Sequence, residues 1–266
     1  MPLAVCATPI GNLEDVTLRV LEELRAADVV LCEDTRHTRV LLGRHGISVR
    51  LLSYHEHNEA KRTAELLPRL EAGERVALVS DAGMPGISDP GARLVGAALD
   101  AGVPVTVLPG PSAVETALVA SGLTAERYQF LGFLPRGAKQ LQTLWDELAR
   151  WPHPAVAFES PQRLPGTLRS LAEADAERPV AVCRELTKKF EEIVRGSAAD
   201  VAARFAEPPK GEITLVLGPA PSRDDDGAGI AAVAELVASG LPRRQAADVV
   251  ARLTGASRNE LYRRTL

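Results

Sequence analysis

The chain has 266 residues, a formal charge of −4 at pH 7, 45% hydrophobic and 25% charged residues. This length exceeds the usual single domain, so two compact units are expected, and the composition gives no reason for disorder beyond short linkers. No apolar run approaches the roughly 20 residues that span a bilayer, and the opening MPLAVCATPIGN lacks the charged region and cleavage site of a secretory signal; a cytoplasmic location without membrane attachment is expected.

Residues 3–10 form an apolar run ending at the Gly11-Asn12 turn, and the spacing over 15–27 predicts a helix with Glu14 or Asp15 in its first turn. Strand and helix then alternate: strand 29–33, helix 35–46, strand 50–57, helix 59–71, strand 75–80, helix 90–101, strand 104–108. Alternation with helices of this length implies βαβ crossovers and a mainly parallel sheet covered on both faces in an N-terminal α/β domain, 1–112.

A connecting helix at 112–121 leads to a second α/β domain, 113–221. Its expected strands are YQFLGFLP, 155–160, 179–186, 190–196 and 212–218, with helices at 139–151, 164–174 and 198–206. The runs 179–186 and 190–196 are separated only by Thr187, Lys188 and Lys189, which predicts a hairpin and a mixed sheet. SRDDDGAG, 222–229, reads as a linker. Two helical patterns joined at Gly240-Leu241-Pro242 follow, and Ser257 with Glu260 has capping-box spacing for a third helix. This tail, 222–266, suits either a helix-turn-helix module or a packing and dimerisation appendage.

Cys6, Cys32 and Cys183 lie far apart inside apolar runs and read as buried strand thiols; His55 and His57 have no second ligand pair at a metal-binding spacing, so no metal is expected. Residues 227–266 carry six arginines against three acids, which leaves −7 on the remainder. A polyanion contact is therefore better placed on the tail, at Arg243 and Arg244 among others, than on the whole surface.

Ligand-bearing loops of a parallel sheet lie beyond the carboxyl ends of its strands. Four such loops are unusual: 8–17, 32–38, 80–91 and 109–113. In the third, Gly83, Gly86 and Gly91 with Pro85 and Pro90 build a long turn that lets a ligand approach the main chain, and Asp81 supplies a carboxylate for a ribose or an ammonium group. It has neither GK[ST] nor G-x-G-x-x-G. Ser112 reads as a helix N-cap or as a hydroxyl aimed at a ligand. CEDTRHT crowds Glu33, Asp34, Arg36 and His37, followed by Arg39, at a strand end; a general base with cationic clamps and an internally paired salt-bridge network fit it equally.

In order and spacing, ATPIGNLEDVTLR, VVLCEDTRHTRVLL, SYHEHNE, LVSDAGMPGISDPGARLV and VLPGPSAVETALVASGL, with FLGFLPR, FESPQRL and CRELTKKFEEIVRG, resemble the bacterial small-subunit ribosomal RNA (cytidine-2′-O)-methyltransferase I family of the tetrapyrrole-methylase superfamily. The resemblance covers residues 3–218 and more weakly the tail. It implies two α/β domains holding S-adenosylmethionine in the cleft between them, and a homodimer. It also implies methylation of a cytidine ribose in the decoding region of 16S RNA, as free RNA or within the 30S subunit. Carried onto this chain, it implies donor contacts from Asp81, Met84, Gly86, Ile87, Ser112 and Ala113, completed by Pro9, Phe158, Leu186 and Gly211.

Such a transfer needs an in-line nucleophile and removal of the hydroxyl proton. Glu33 or Asp34 is the expected base, with His37 as the competitor whose ordinary pKa suits neutral pH. Arg36 and Arg39 are expected to hold the RNA backbone, and Arg136 and Lys139 to add phosphate contacts. Two other readings are a methylase of a tetrapyrrole-like small molecule and a non-catalytic RNA-binding or ribosome-assembly protein that uses the basic tail.

Overall fold

A computed structural model of the chain describes residues 2–220, 225–254 and 256–265. The first lobe is built on β1 (Leu3–Cys6), β2 (Val29–Cys32), β3 (Arg50–Ser53), β4 (Val76–Leu78) and β5 (Val105–Leu108), in the order β3-β2-β4-β1-β5. Every pairing is parallel. Buried on both faces, β1, β2 and β4 are continuous apolar runs rather than alternating ones. The connecting helices are α1 (Leu18–Ala26), α2 (Thr35–Arg44), α3 (Glu59–Glu71) and α4 (Ala92–Asp100).

The chain enters α1 differently from the expectation. A single 3₁₀ turn at Leu13–Asp15 is capped by the Asn12 side chain, and Thr17 then caps α1 by accepting from the Val20 N–H. A Thr hydroxyl reaches the third amide of a helix, so Asp15 is left outside it.

Helix α5 (Ala113–Ser121) packs on the second sheet, where Val114, Ala117 and Leu118 share a core with Val156, Ala181 and Val216. That sheet comprises β6 (Gln129–Phe133), β7 (Ala155–Glu159), β8 (Pro179–Arg184), β9 (Glu192–Ser197) and β10 (Ile213–Leu217), ordered β6-β7-β10-β8-β9. Only β6 and β7 run parallel, and β8 and β9 form the antiparallel hairpin read from the sequence. Helices α6 (Ala138–Leu148), α7 (Leu164–Ala174) and α8 (Ala198–Arg204) cover its other face. There the buried Arg178 donates to the Leu148 and Gly218 carbonyls, both at 2.8 Å, tying the end of α6 to the exit from β10.

The tail is a separate small core of Val233, Ala246, Ala247, Val250 and Leu261 from α9 (Asp225–Ala238), α10 (Arg243–Thr254) and α11 (Arg258–Arg264). Of the segment read as a linker, 222–224 lie outside the described residues, whereas 225–229 are already helical. A Cβ on Gly229 would stand 2.9 Å from Leu261 Cδ2, so a glycine there lets α11 pack close. Ser257 occupies the N-cap of α11 but makes no side-chain cap bond, and the Glu260 side chain lies outside the described structure. Among the described residues, no helix is long and apolar enough to cross a membrane.

Candidate active site

The chain leaves β1 toward β2 and β3 on one side of the sheet, and leaves β4 toward β5 on the other. The route from β1 to β2 passes β4 and the route from β4 to β5 passes β1, so the two outgoing loops go to opposite faces of the sheet, α1 packing on one and α4 on the other. A crevice lies between them at the carboxyl ends of the strands. The two loops are stitched where they part: Thr8 N–H donates to Gly83 O at 2.9 Å and Gly83 N–H returns to Thr8 O at 3.1 Å. The Thr8 hydroxyl adds a bond to Ser80 O, and Ser80 Oγ donates to the carbonyls of Ala82 and Gly83. Gly83 is left-handed (φ 77°), and Gly91 (φ 143°) lies so near Leu78 and Gly86 that a Cβ would meet Leu78 Cδ2 at 2.9 Å.

The second lobe faces this crevice and closes a cleft of about 460 Å³. Ile10 joins Val156 and Leu186 of the second lobe in one buried cluster, and two glycines mark further close approaches between the lobes. A Cβ on Gly11 would lie 2.7 Å from both Leu186 O and Thr187 Oγ1, and one on Gly132 would lie 3.7 Å from Ser88 Oγ. Beside these contacts sit the three non-glycine residues in the left-handed region among those described: Ser88 (φ 61°), Glu185 (φ 53°) and Thr187 (φ 66°). Each such residue costs on the order of 1–3 kcal/mol and is held only where its surroundings over-determine it.

Of the residues implied as donor contacts, Asp81, Met84, Ile87, Ser112, Ala113, Phe158 and Leu186 line the cleft. Pro9, Gly86 and Gly211 are not part of its lining. Gly86 is a turn residue whose N–H donates to Pro90 O. Gly211 (φ 97°) makes room for the Glu185 side chain, which accepts from Glu212 N–H and Lys188 Nζ. Ser112 sits at the N-cap of α5 without capping it; its hydroxyl turns to the Glu115 carboxylate, which also accepts from Tyr128.

The second loop resolves into unlike parts. Asp34 caps α2 through the Arg36 N–H and forms a bidentate pair with the Arg36 guanidinium, which holds its carboxyl far below the usual range. A carboxylate so acidic is a poor base, and the Arg36 side chain that pairs with it is 86% exposed. Glu33 is the opposite case. Its Oε1 is buried with no hydrogen-bond partner among the described residues. Burial, then the charges of Asp89 and Asp81, push its pKa up to about 7. His37 is exposed, with Nδ1 3.8 Å from Asp81 Oδ1.

Two features escaped the sequence reading. Asp89, within the glycine-rich loop, lines the cleft with a pKa raised to about 6 by burial and by the Asp81 charge. Glu159, also lining the cleft, is buried and accepts from Arg163 Nη2 and Thr167 Oγ1, both at 2.7 Å, and from Ser160 N–H. The local signal for the second was Glu159 and Arg163 four residues apart at a strand end; the signal for the first was an acid between Ser88 and Pro90.

The remaining basic candidates are dispersed. Arg39, Arg136 and Lys139 are exposed. On the tail, Arg243 is half-buried, and Arg244 lines a hollow of about 250 Å³ with Arg258, Asn259 and Tyr262.

Residues 2–202 match the family described as Tetrapyrrole (Corrin/Porphyrin) Methylases, and residues 223–266 match the RsmI C-terminal HTH domain. A Mesorhizobium japonicum protein named ribosomal RNA small subunit methyltransferase I is 47% identical, covering 99% of this chain and 91% of its own. A like-named Thermotoga maritima protein is also 47% identical, over 81% of this chain and 97% of its own length, and one from Synechocystis is 42% identical over 99% and 97%. Among solved structures, the methyltransferase CobJ superposes with a TM-score of 0.64 at 20% identity, covering 83% of this chain and 95% of that one. Uroporphyrin-III C-methyltransferase from Thermus thermophilus, complexed with S-adenyl homocysteine, gives 0.59 at 23% identity, covering 81% and 96%.

Proposed function

The chain belongs to the tetrapyrrole methylases and, within them, to the ribosomal RNA small subunit methyltransferase I family, and from that premise we propose that it methylates the 2′-hydroxyl of a cytidine in the decoding region of 16S ribosomal RNA, with S-adenosylmethionine as donor. The observation that carries the reading is the cleft itself: a glycine-bent loop where the chain leaves neighbouring β1 and β4 for opposite faces of the sheet, faced by a second lobe and lined by Asp81, Asp89 and Glu159.

The residues present suit the donor. The cleft volume falls in the range of about 300–1,000 Å³ usual for small-molecule sites. Ile10, Met84, Phe158 and Leu186 offer apolar walls for a purine, and Asp81 offers a carboxylate for ribose hydroxyls or an ammonium group. Gly83 is buried between the loops after β1 and β5, where a Cβ would meet Ile10 Cγ2 at 3.9 Å and Pro111 O at 4.0 Å, and its paired bonds with Thr8 tie its own loop to the one after β1 rather than offering the donor free main chain. When bound, the donor supplies an electrophilic methyl on a sulfonium.

The chain's own contribution is to orient the hydroxyl, hold water away and accept its proton. We place the base in the Glu33 and Asp89 carboxyls, with Asp89 in the cleft wall and Glu33 coupled to it through its charge. A carboxylate raised to about 6 or 7 is substantially ionised at neutral pH yet far more basic than an ordinary one. Arg39, Arg136, Lys139 and the tail arginines Arg243 and Arg244 are the cations proposed to meet RNA phosphates, and a homodimer is proposed as the working form.

The test supplies labelled donor and small ribosomal subunits, or free 16S RNA, from cells lacking the modification. Labelled 2′-O-methylcytidine after nuclease digestion is expected. No incorporation by enzyme that still binds the donor overturns the acceptor assignment, and light scattering reads the oligomeric state.

A further inference from the structure

The mouth of the cleft carries an exposed aromatic ring on a rigid mount. Phe133 is 64% exposed although it lines the cleft, and Ile87, across the lobe contact, is 54% exposed and lines it too. Phe133 owes its position to a β-bulge. Phe130 pairs with Val156 and Phe133 with Phe158, so three steps on β6 oppose two on β7. Gly132, left-handed at φ 64°, takes up the extra residue where β6 meets Ser88. Bulges beside active sites re-aim a side chain.

The mount is fixed on both sides of the ring. Leu134, the next residue, is buried and donates its N–H to Phe158 O, while Arg163 Nη2 donates to Leu134 O at 2.7 Å and to Pro135 O. Arg163 is in turn held by the buried Glu159. Phe158 meets Phe133 obliquely, centroids 5.5 Å apart and planes at 60°, and does not stack on it.

We propose that Phe133 is the stacking platform for the acceptor nucleobase, with Ile87 as the opposing apolar contact from the other lobe. This inference rests on the RNA acceptor reading above. At 64% exposed, the ring stands further into solvent than Asp81 and Ser112, which are half-buried in the same cleft. The chain continues from it into the exposed cations Arg136 and Lys139, which suit the flanking phosphates. Bringing one ribose into a cleft between two lobes draws its nucleotide away from its neighbours, and an aromatic face recovers the stacking that it loses.

The test compares Phe133→Ala, Phe133→Leu and Phe133→Trp for methyl transfer to small subunits and for binding of S-adenosylhomocysteine by calorimetry. Phe133→Ala is expected to lower kcat/KM for the subunit by about 10- to 100-fold, the range for loss of one base stack, with affinity for the donor product unchanged within about twofold. Phe133→Trp is expected to restore activity to within a few-fold, whereas Phe133→Leu, apolar but without a flat π face, stays near the alanine variant. Wild-type kinetics in the alanine or leucine variant overturns the platform, and so does a loss of donor-product affinity that matches the loss of activity, which would make the ring a wall of the donor site. If the unmodified enzyme binds the donor product yet methylates no ribosomal RNA, the acceptor reading falls and takes this inference with it; only the variant results can overturn the platform alone.

Discussion

The Asp34 backbone N–H donates to Asp81 Oδ1 at 3.2 Å, which ties the loop after β2 to the loop after β4 across the ends of neighbouring strands. One carboxylate thus anchors the loop bearing Glu33 while lining the cleft. Asp81→Ala is expected to weaken S-adenosylhomocysteine binding by roughly 10- to 100-fold, the worth of about 1.5–3 kcal/mol for hydrogen bonds to a charged group. Asp81→Asn, which keeps the Oδ1 acceptor, should lose less; calorimetry of both reads the difference.

Glu33 and Asp89 should govern the acid limb of the rate profile. With the upper carboxyl near 7, kcat/KM is expected to fall as pH drops below about 7. Whichever of Glu33→Gln and Asp89→Asn removes the base should cost about 10²- to 10⁴-fold. If Glu33 is that base, Asp89→Asn moves its limb to lower pH, because the Asp89 charge helps to raise it. An unchanged limb in both variants would remove this pair from the chemistry.

The same shift predicts a stability change of definite sign. Glu33 is raised from an ordinary 4.5 to about 7, so folding disfavours its ionised form. The penalty is absent below the unfolded value, grows between the two values and is complete above about 7. Glu33→Gln is therefore expected to stabilise the protein at pH 8, with little effect near pH 4.5. Discounted for partial exposure, the gain is roughly 1 kcal/mol, or about 2 to 4 °C in Tm. Thermal melts at the two pH values check it, and a variant less stable than wild type at pH 8 contradicts it.

Gly11→Ala should act on the cleft without touching a ligand. Its new methyl would meet Leu186 O and Thr187 Oγ1 at 2.7 Å, so the lobes must part at one of their contacts. Overpacking of this kind costs about 1–3 kcal/mol, and donor-product affinity should fall with it. Gly43→Ala, inside α2 with open space around it, serves as the control: it should leave donor-product affinity unchanged and raise stability by up to about 1 kcal/mol.

Arg163→Met is expected to destabilise the second lobe by about 3 kcal/mol, because it leaves the buried Glu159 without its cation. Adding Glu159→Gln should recover part of the loss. Chemical denaturation of the single and double variants measures the coupling.

The architecture was legible because it is written locally. Apolar runs alternating with 3.6-residue patterns mark each strand and helix, and the four loops singled out by composition are those after β1, β2, β4 and β5, which the strand order makes neighbours. What lay beyond reach depends on contacts across space. Nothing near Asp89 in sequence tells that Asp81 and burial raise it, and nothing near Gly11 shows a carbonyl from residue 186 beside it. Asp34 and Arg36, two residues apart, could be read as base and clamp or as a pair, and only geometry chooses the pair. The bulge that presents Phe133 leaves one glycine as its trace in the sequence.

The three thiols give the molecule a set of internal clocks. Cys6 and Cys32 sit in the sheet of the first lobe and Cys183 in that of the second, all buried, with burial pushing Cys6 up to about 12 and Cys183 up to about 11. An alkylating reagent at neutral pH meets almost no thiolate until a sheet opens, so the rate at which each cysteine is modified times the breathing of its own lobe. Since Cys183 also borders the cleft, a bound nucleoside that braces the second lobe should slow its clock, an occupancy readout that needs no label on either reactant.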